Sequence, residues 1–397
     1  MILEVNRLAM LEISKCVAKV APSNSPVDVL NGVLVECNED TGEVFLTATN
    51  HEVSIQQKLH ASVKQSGSML INANLLVGMM ARLEGEFVAL SADSPHLIKV
   101  AGGRCTFRLN CLPSKSYPKP IMPFPEESII MTGICSLSNR TTFAVSKDES
   151  KPALQCVQIK LKNNAVHAAA CDSVRMMLVK VTADSPAERE FLLPGRALQM
   201  LASISKDDDV FEVSDIDNEV VFVRGDMIFT IRKLHTGEYL NTAAVVGGIK
   251  PAYSSIVDVS KMKDALDAIS VATMIGGTKR PLNLVMSNGE VVLRCNSEYS
   301  EAISPFPANV TLETPETGFY YEASALLKLF QVLNGKAKIE IDAKGFMLVK
   351  TRNEAYFQAP VYPPTKKSKD VKQDKEPKRA KGAKEVKETK EQSDTAA

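Results

Sequence analysis

The chain has 397 residues, 45% hydrophobic and 24% charged, with a mean hydropathy of -0.05, which suits two or three globular domains and excludes wholesale disorder. Its 47 basic and 47 acidic residues cancel, yet residues 365–397 hold 11 of the basic and 7 of the acidic ones, leaving 36 basic and 40 acidic before them. A body of that balance is not a simple basic nucleic-acid binder, so any DNA contact needs its positive charge gathered on one surface.

The longest apolar runs fall far short of the roughly 18 residues of a membrane span. Glu4 and Arg7 interrupt the N-terminus where a signal peptide would be apolar, so the expected location is the cytoplasm. Cys16, Cys37, Cys105, Cys111, Cys135, Cys156, Cys171 and Cys295 are scattered without a C-x-x-C pair. They signal neither a disulfide framework nor a zinc site and read as small core hydrophobes.

In chain order, a helix is expected over Asn6 to Val20, where Met10, Ile13, Val17 and Val20 form an apolar stripe and Arg7, Lys15 and Lys19 the opposite arc. Paired strands follow, ending at Thr49-Asn50-His51. Leu70-Ile71-Asn72 then leads as a strand into an amphipathic helix, and alternating strands pass through Phe87, Ile98 and Phe107. Leu112 to Pro125, with five prolines, reads as a linker. The pattern then returns. Strands end at Cys171-Asp172-Ser173, Leu192-Leu193-Pro194 leads into a helix, and Phe211, Phe222 and Phe229 mark the next strands. A second linker falls at Gly247, Gly248 and Pro251. In the last third, Asn288-Gly289 suits a type I′ turn, strands end at Cys295-Asn296-Ser297, Tyr320-Tyr321-Glu322 leads into a helix, and Ile339, Met347 and Tyr356 mark the final strands.

Asn50, Asp172 and Asn296 are 122 and 124 residues apart. The fold class is therefore α+β, three tandem repeats of near 120 residues, each with two helices on a largely antiparallel sheet. The expected domains are 1–125, 126–252 and 253–364. A Lys/Glu-rich tail, 365–397, has too few large apolar residues to offset ordering entropy.

The catalytic search is thin. There is no H-E-x-x-H, G-x-S-x-G or G-x-x-x-x-G-K-[ST] motif, and His51, His60, His96, His167 and His235 show no ligand-like spacing. Asp215-x-Asp217-x-Glu219 lacks the glycine and the later glutamate of a calcium loop and reads as a hairpin turn. Gly247 to Lys250 and Gly276 to Lys279 do not lie between a strand and a helix in the order a phosphate loop needs. No catalytic residue, metal ligand or cofactor is expected.

Basic residues on the expected helices carry more. Any one alone reads as an ordinary solvated helix face, but they recur in all three thirds, and three repeats in an arc with helices inward would gather them on one concave surface. The set expected to face DNA is Lys15, Lys19, Arg82, Arg140, Lys151, Arg196, Lys261 and Lys328. Such a surface holds phosphates without reading bases.

Four segments then fall into one order: the opening Met1-Ile2-Leu3-Glu4-Val5 before an Arg-led helix, Cys171-Asp172-Ser173-Val174-Arg175-Met176, Phe191-Leu192-Leu193-Pro194-Gly195-Arg196, and Ala355-Tyr356-Phe357-Gln358-Ala359-Pro360-Val361. On three repeats, these resemble the bacterial sliding clamps, the beta subunits of the replicative DNA polymerase III. The resemblance runs from Met1 to Pro363. It implies a non-enzymatic, head-to-tail homodimer whose six domains close a ring around double-stranded DNA, without sequence preference, and tether the replicative polymerase. By position it places Phe107 and Leu109 against Met274 and Ile275 across the dimer interface.

The resemblance also implies a pocket between the second and third domains. That pocket takes short peptides of the polymerase, an ATP-dependent clamp loader and other proteins with clamp-binding motifs. Carried over residue by residue, its lining begins with Leu154, Cys171, Ser173, Val174, Arg175 and Met176. It continues through Leu240, Ala244 and Val245 to Phe357, Gln358, Ala359, Pro360, Val361 and Tyr362. Apolar walls with a few polar anchors suit peptide capture. The sequence departs from the family pattern at Ser173-Val174, Tyr239-Leu240-Asn241-Thr242, Gln358 and Ala359, and it extends beyond Pro363, where the family typically stops. Two rival readings remain at this level: a repeat-built assembly scaffold that does not encircle DNA, and a hydrolase using Asp172 with His235 as a base.

Overall fold

The computed structural model describes residues 1–123, 128–182, 188–234, 239–273, 280–296 and 301–362. Each third opens with a strand, Ile2–Asn6, Ile129–Met131 and Pro251–Asp258, and the helix expected at its start follows that strand. In the first, Leu3 and Val5 are buried while Ile2 and Glu4 are exposed, the period of two that a strand imposes. The adjoining helical stripe from Met10 hides so short a signal.

Among the described residues there are seven α-helices: α1 (Arg7–Ala18), α2 (Ala73–Arg82), α3 (Ile134–Thr141), α4 (Gly195–Ser203), α5 (Thr242–Gly248), α6 (Val259–Thr273) and α7 (Ala323–Val332). Asn6 ends the opening strand and caps α1, its Oδ1 accepting the N–H groups of Leu8 and Ala9 at 3.1 Å. Asn72 caps α2 in the same way. α1 packs on α2, α3 on α4 and α6 on α7. The first helix of each pair also crosses two strands of its own repeat: α1 over Glu43–Thr49 and Val53–His60, α3 over Ala165–Cys171 and Arg175–Thr182, α6 over Glu290–Asn296 and Glu301–Pro307.

Three antiparallel strands follow the second helix of each pair. They are Phe87–Ser94, Leu97–Gly102 and Cys105–Asn110; then Phe211–Ile216, Glu219–Arg224 and Met227–Arg232; then Lys336–Asp342, Met347–Lys350 and Glu354–Gln358. Strand, helix, strand, strand, strand thus recurs three times. Asn288 and Gly289 take φ of 50° and 77° between their strands, the positive values a type I′ turn demands.

The sheets run across the repeat boundaries. Met227–Arg232 of the second repeat pairs antiparallel with Val53–His60 of the first, Phe229 opposite Ile55, making an eight-stranded sheet. Glu354–Gln358 of the third pairs with Arg175–Thr182 of the second, Tyr356 opposite Met177, making a nine-stranded one. The two remaining sheets have five and four strands. Cys105–Asn110 is an edge of the first and Glu301–Pro307 an edge of the second.

The second linker differs from its expected form. Gly247 and Gly248 belong to the last turn of α5, whose first turn is capped by Asn241 accepting the Ala244 N–H at 3.1 Å. A side-chain cap followed by Ala243, Ala244, Val245 and Val246 sustains a short helix, and glycine is tolerated where a helix ends. Pro251 then starts a strand. The first linker is anchored by Tyr117, buried with Leu34 and Leu70, whose hydroxyl accepts the Thr49 N–H at 2.9 Å.

Candidate partner pocket and DNA-facing groove

Both internal junctions are built on the same turn. In the first repeat Asn50 Oδ1 accepts the N–H groups of Glu52 and Val53 (3.0 and 2.8 Å), with His51 at φ 71°. In the second, Asp172 Oδ1 accepts those of Val174 and Arg175 (3.1 and 3.0 Å), with Ser173 at φ 80°. A short side-chain acceptor that closes a turn over a left-handed residue is what Asn and Asp provide. Each turn then docks on the next repeat: the Arg232 N–H donates to Glu52 O at 2.9 Å, and the Ala359 N–H to Val174 O at 2.8 Å. Each is also braced by a linker tyrosine, Tyr117 against Thr49 and Tyr239 against Cys171, whose Sγ lies 3.6 Å from the Tyr239 hydroxyl.

At the second junction this brings together several of the residues carried over by the resemblance. The chain after Gln358 is held by the Val174 contact and by Val361 N–H donating to Tyr320 O at 2.8 Å. The Tyr239 hydroxyl also reaches Cys156 O at 3.4 Å, the residue that follows the 3-10 turn Pro152–Gln155 carrying Leu154. Val174 and Leu240 are 43% and 46% exposed and Tyr362 is 95% exposed, which leaves apolar surface open to a ligand. Leu154, Ala359, Pro360 and Val361 are half-buried, and Phe357 stacks on Phe346 with ring centroids 5.7 Å apart. Ser173 and Ala244 are exposed, Val245 is half-buried on α5, and Cys171 is buried.

Three of the carried-over residues, Cys171, Met176 and Gln358, do not line the surface. Met176 and Gln358 are 2% and 1% exposed; the Gln358 amide accepts from the Tyr356 hydroxyl at 3.0 Å and donates to Glu322 O at 3.5 Å. They are packed in the interior rather than open to a ligand. The buried thiols nearby are held in their protonated form. Burial pushes Cys156 up to about 12, with Glu52 adding to the effect, and pushes Cys171 up against the pull of the Tyr239 hydroxyl.

Asp172 is fully engaged: beyond its two backbone bonds, its Oδ2 accepts from Arg175 Nε at 2.7 Å. It is a turn-former and an arginine clamp, not a base, and His235 lies outside the described residues. Arg175 also approaches Glu322 at 3.9 Å.

The eight basic residues expected to face DNA divide into three groups. Lys15, Lys19, Arg82, Arg196, Lys261 and Lys328 are exposed on their helices or helix ends. Arg140 is instead bound to Glu354 at 2.7 Å, across the second junction. Lys151 precedes a 3-10 turn, Pro152–Gln155, and donates to Ser173 Oγ at 3.2 Å, which ties it to the turn after Asp172. Arg7, on the expected basic arc, closes the end of α2 through bonds to Met80 O and Gly85 O. Sequence spacing assigns a residue to a helix face but not the carboxylate or carbonyl that a long side chain finds there.

A groove of about 1190 Å3 runs past α3, α4 and α7 and draws residues from all three repeats, including Glu52, Lys147, Arg175, Arg196, Glu322 and Lys328. Glu52, Tyr117 and Tyr239 were not singled out as site residues by the sequence pattern. The signal was present for the tyrosines, which stand 122 residues apart like Asn50 and Asp172. Phe107 and Leu109 lie on the edge strand Cys105–Asn110, half-buried against the core; Met274 and Ile275 lie outside the described residues. Among the described residues no group of three or more His, Cys, Asp or Glu side chains could hold a metal ion, and no helix is long and apolar enough to cross a membrane.

Three α+β repeats, joined edge to edge through shared sheets and each carrying a packed helix pair, define the clamp-type fold. The N-terminal and central domain profiles of the DNA polymerase III beta subunit match residues 1–122 and 131–240. The chain belongs to that family, the bacterial sliding clamps. It is similar to the Bacillus subtilis beta sliding clamp, 25% identical over 367 residues, covering 87% of this chain and 94% of that one. It is also similar to the Staphylococcus aureus clamp, 27% identical over 301 residues, covering 71% and 76%. The crystal structure of the B. subtilis clamp superposes with a TM-score of 0.82 at 21% identity, covering 92% of this chain and 100% of that one. A Pseudomonas aeruginosa clamp bound to griselimycin gives 0.80 at 18% identity, covering 91% and 99%. Membership makes the chain a non-enzymatic component of DNA replication.

Proposed function

We propose that two copies of this chain close head to tail into a ring that encircles duplex DNA and tethers the replicative polymerase in the cytoplasm. Each copy contributes domains 1–125, 126–252 and 253–364. Peptides of the polymerase, an ATP-dependent loader and other partners dock at the second junction. One observation carries the reading: the same junction occurs twice within the chain and is left half-made at each end. The last strand of the second and third repeats pairs with the repeat before it, whereas the equivalent strand of the first repeat, Cys105–Asn110, is an edge. Its counterpart, Glu301–Pro307, is an edge too, although Val53–His60 and Arg175–Thr182 are paired. Joined, these edges would make a nine-stranded sheet, the size of an internal one.

A heterologous contact closes when its rotation closes, and six equivalent steps make a ring that removes both edges. The exposed edges are also chemically matched, with Arg108 on one and Glu301 and Ile303 on the other. The test is single-particle imaging of the purified chain together with retention on circular DNA. A six-lobed ring with a hole wide enough for duplex is expected, and neutralising Lys15, Arg82, Arg196 and Lys328 together should weaken salt-sensitive binding to linear duplex and slow loading, while rings already loaded on circular DNA stay on it. Three-lobed arcs that stay monomeric at high concentration would overturn the reading in favour of a scaffold.

A further inference from the structure

We propose that Glu52 is an electrostatic counterweight on the DNA-facing wall: its carboxylate engages Arg196 and keeps the hold on DNA phosphates loose enough for sliding. This rests on the ring reading above. Glu52 and Arg196 line the same groove from opposite sides of the first junction, one on the turn of the first repeat and the other in the first turn of α4. Burial pushes the Glu52 carboxyl up and Arg196 draws it back down, so the two act on each other without forming a direct ion pair among the described residues. Among the described residues no hydrogen bond or ion pair is made by the Glu52 carboxylate, whose other charged influence falls on the buried Cys156 thiol. The turn is held by Asn50 and by the Glu52 carbonyl, which accepts the Arg232 N–H, so its fold does not depend on the carboxylate.

The second junction is an internal control. The residue equivalent to Glu52 there is Val174, in the same turn with the same backbone bond to the next repeat. The residue equivalent to Arg196 is Ser324, in the first turn of α7. At these two equivalent positions acid and base are thus present together at one junction and absent together at the other, where Arg175 and Glu322, one residue further along the turn and two residues before Ser324, approach each other at 3.9 Å instead. A carboxylate that the turn does not need, placed beside a cation facing phosphates, lowers the local positive potential and competes with the phosphate for that cation.

The experiment measures duplex affinity of the full-length dimer across a salt series, and the diffusion of loaded rings on stretched DNA. Glu52→Gln should tighten duplex binding several-fold and slow diffusion. It should also steepen the slope of log affinity against log salt by about 0.9, the value of one more neutralised phosphate. Glu52→Val, copying the second junction, should do the same, and adding Arg196→Gln should cancel both gains. Wild-type affinity, slope and diffusion in the two Glu52 variants would overturn the proposal while leaving the ring reading intact. A wild-type chain that is not retained on circular DNA would sink both.

Discussion

Arg140, Lys151 and Arg196 are all basic residues in or beside the helices of the second repeat, yet each is put to a different use. Arg140 neutralises Glu354, whose side chain is only 12% exposed. Arg140→Met should therefore cost about 1–3 kcal/mol in chemical denaturation, because a half-buried carboxylate loses its partner; Arg196→Met, on an exposed side chain, should stay within about 0.5 kcal/mol. Glu340 is a second case of a carboxylate held by its neighbours. Burial pushes its carboxyl up, but hydrogen bonds from Lys338 and Lys350, at 2.6 and 2.8 Å, outweigh it and leave the group below its ordinary value. A lowered folded-state value means stabilisation that is full above the unfolded glutamate range and is lost as pH falls through the folded value. Melting temperature followed from pH 7 to pH 3 should show this acid loss, and Glu340→Gln should flatten it. At the pocket, Val174→Asp and Leu240→Asp alter exposed side chains and spare the core. Each should weaken a polymerase-derived peptide at least tenfold with an unchanged melting temperature; native affinity in both would remove the pocket from the account.

Among the elements, the edge strands carry the proposed assembly. Glu301–Pro307 exposes Ile303 at 56% on a strand whose counterparts are paired inside the chain. Ile303→Lys should convert a dimer to a monomer in sedimentation while each chain keeps its fold, since Ile303 lies outside the core. The helices teach a different lesson. α1, α2, α4 and α7 were legible from apolar spacing because each buries one stripe and exposes the other. α5 was not, since a short helix of small residues has no stripe to read, and its Asn241 cap is recognised only once the hydrogen bond is seen. The opening strand of each repeat escaped for a similar reason. A few alternating residues beside a long helical stripe give the weaker signal, and their pairing partner, Phe87–Ser94 for Ile2–Asn6, is about 80 residues away.

At the scale of the whole molecule, a ring and an open arc differ in how they leave DNA. A closed ring on circular DNA can leave only by opening, whereas on linear DNA it slides off an end. Cutting a clamp-loaded plasmid once should therefore release the protein within the time of the digest, while nicking should leave it bound, as followed by gel filtration. Equal release from nicked and cut DNA would mean that the hold is electrostatic contact alone, which salt would dissolve.

The sequence by itself determined the triplication, the α+β class and the positions of the turn-forming Asn50 and Asp172, because periodicity and the chemistry of a turn act between near neighbours along the chain. It also placed Val174, Leu240 and Tyr362 at a candidate pocket through the family pattern. Tertiary structure alone decided which charges are spent in ion pairs, that Cys171, Met176 and Gln358 are buried, and that the sheets cross the repeat boundaries. Those outcomes depend on contacts between residues far apart in sequence, such as Arg140 with Glu354 and Phe229 with Ile55. A long side chain or a strand edge takes whatever partner the packed repeats bring within a few ångströms, and local spacing carries no record of it.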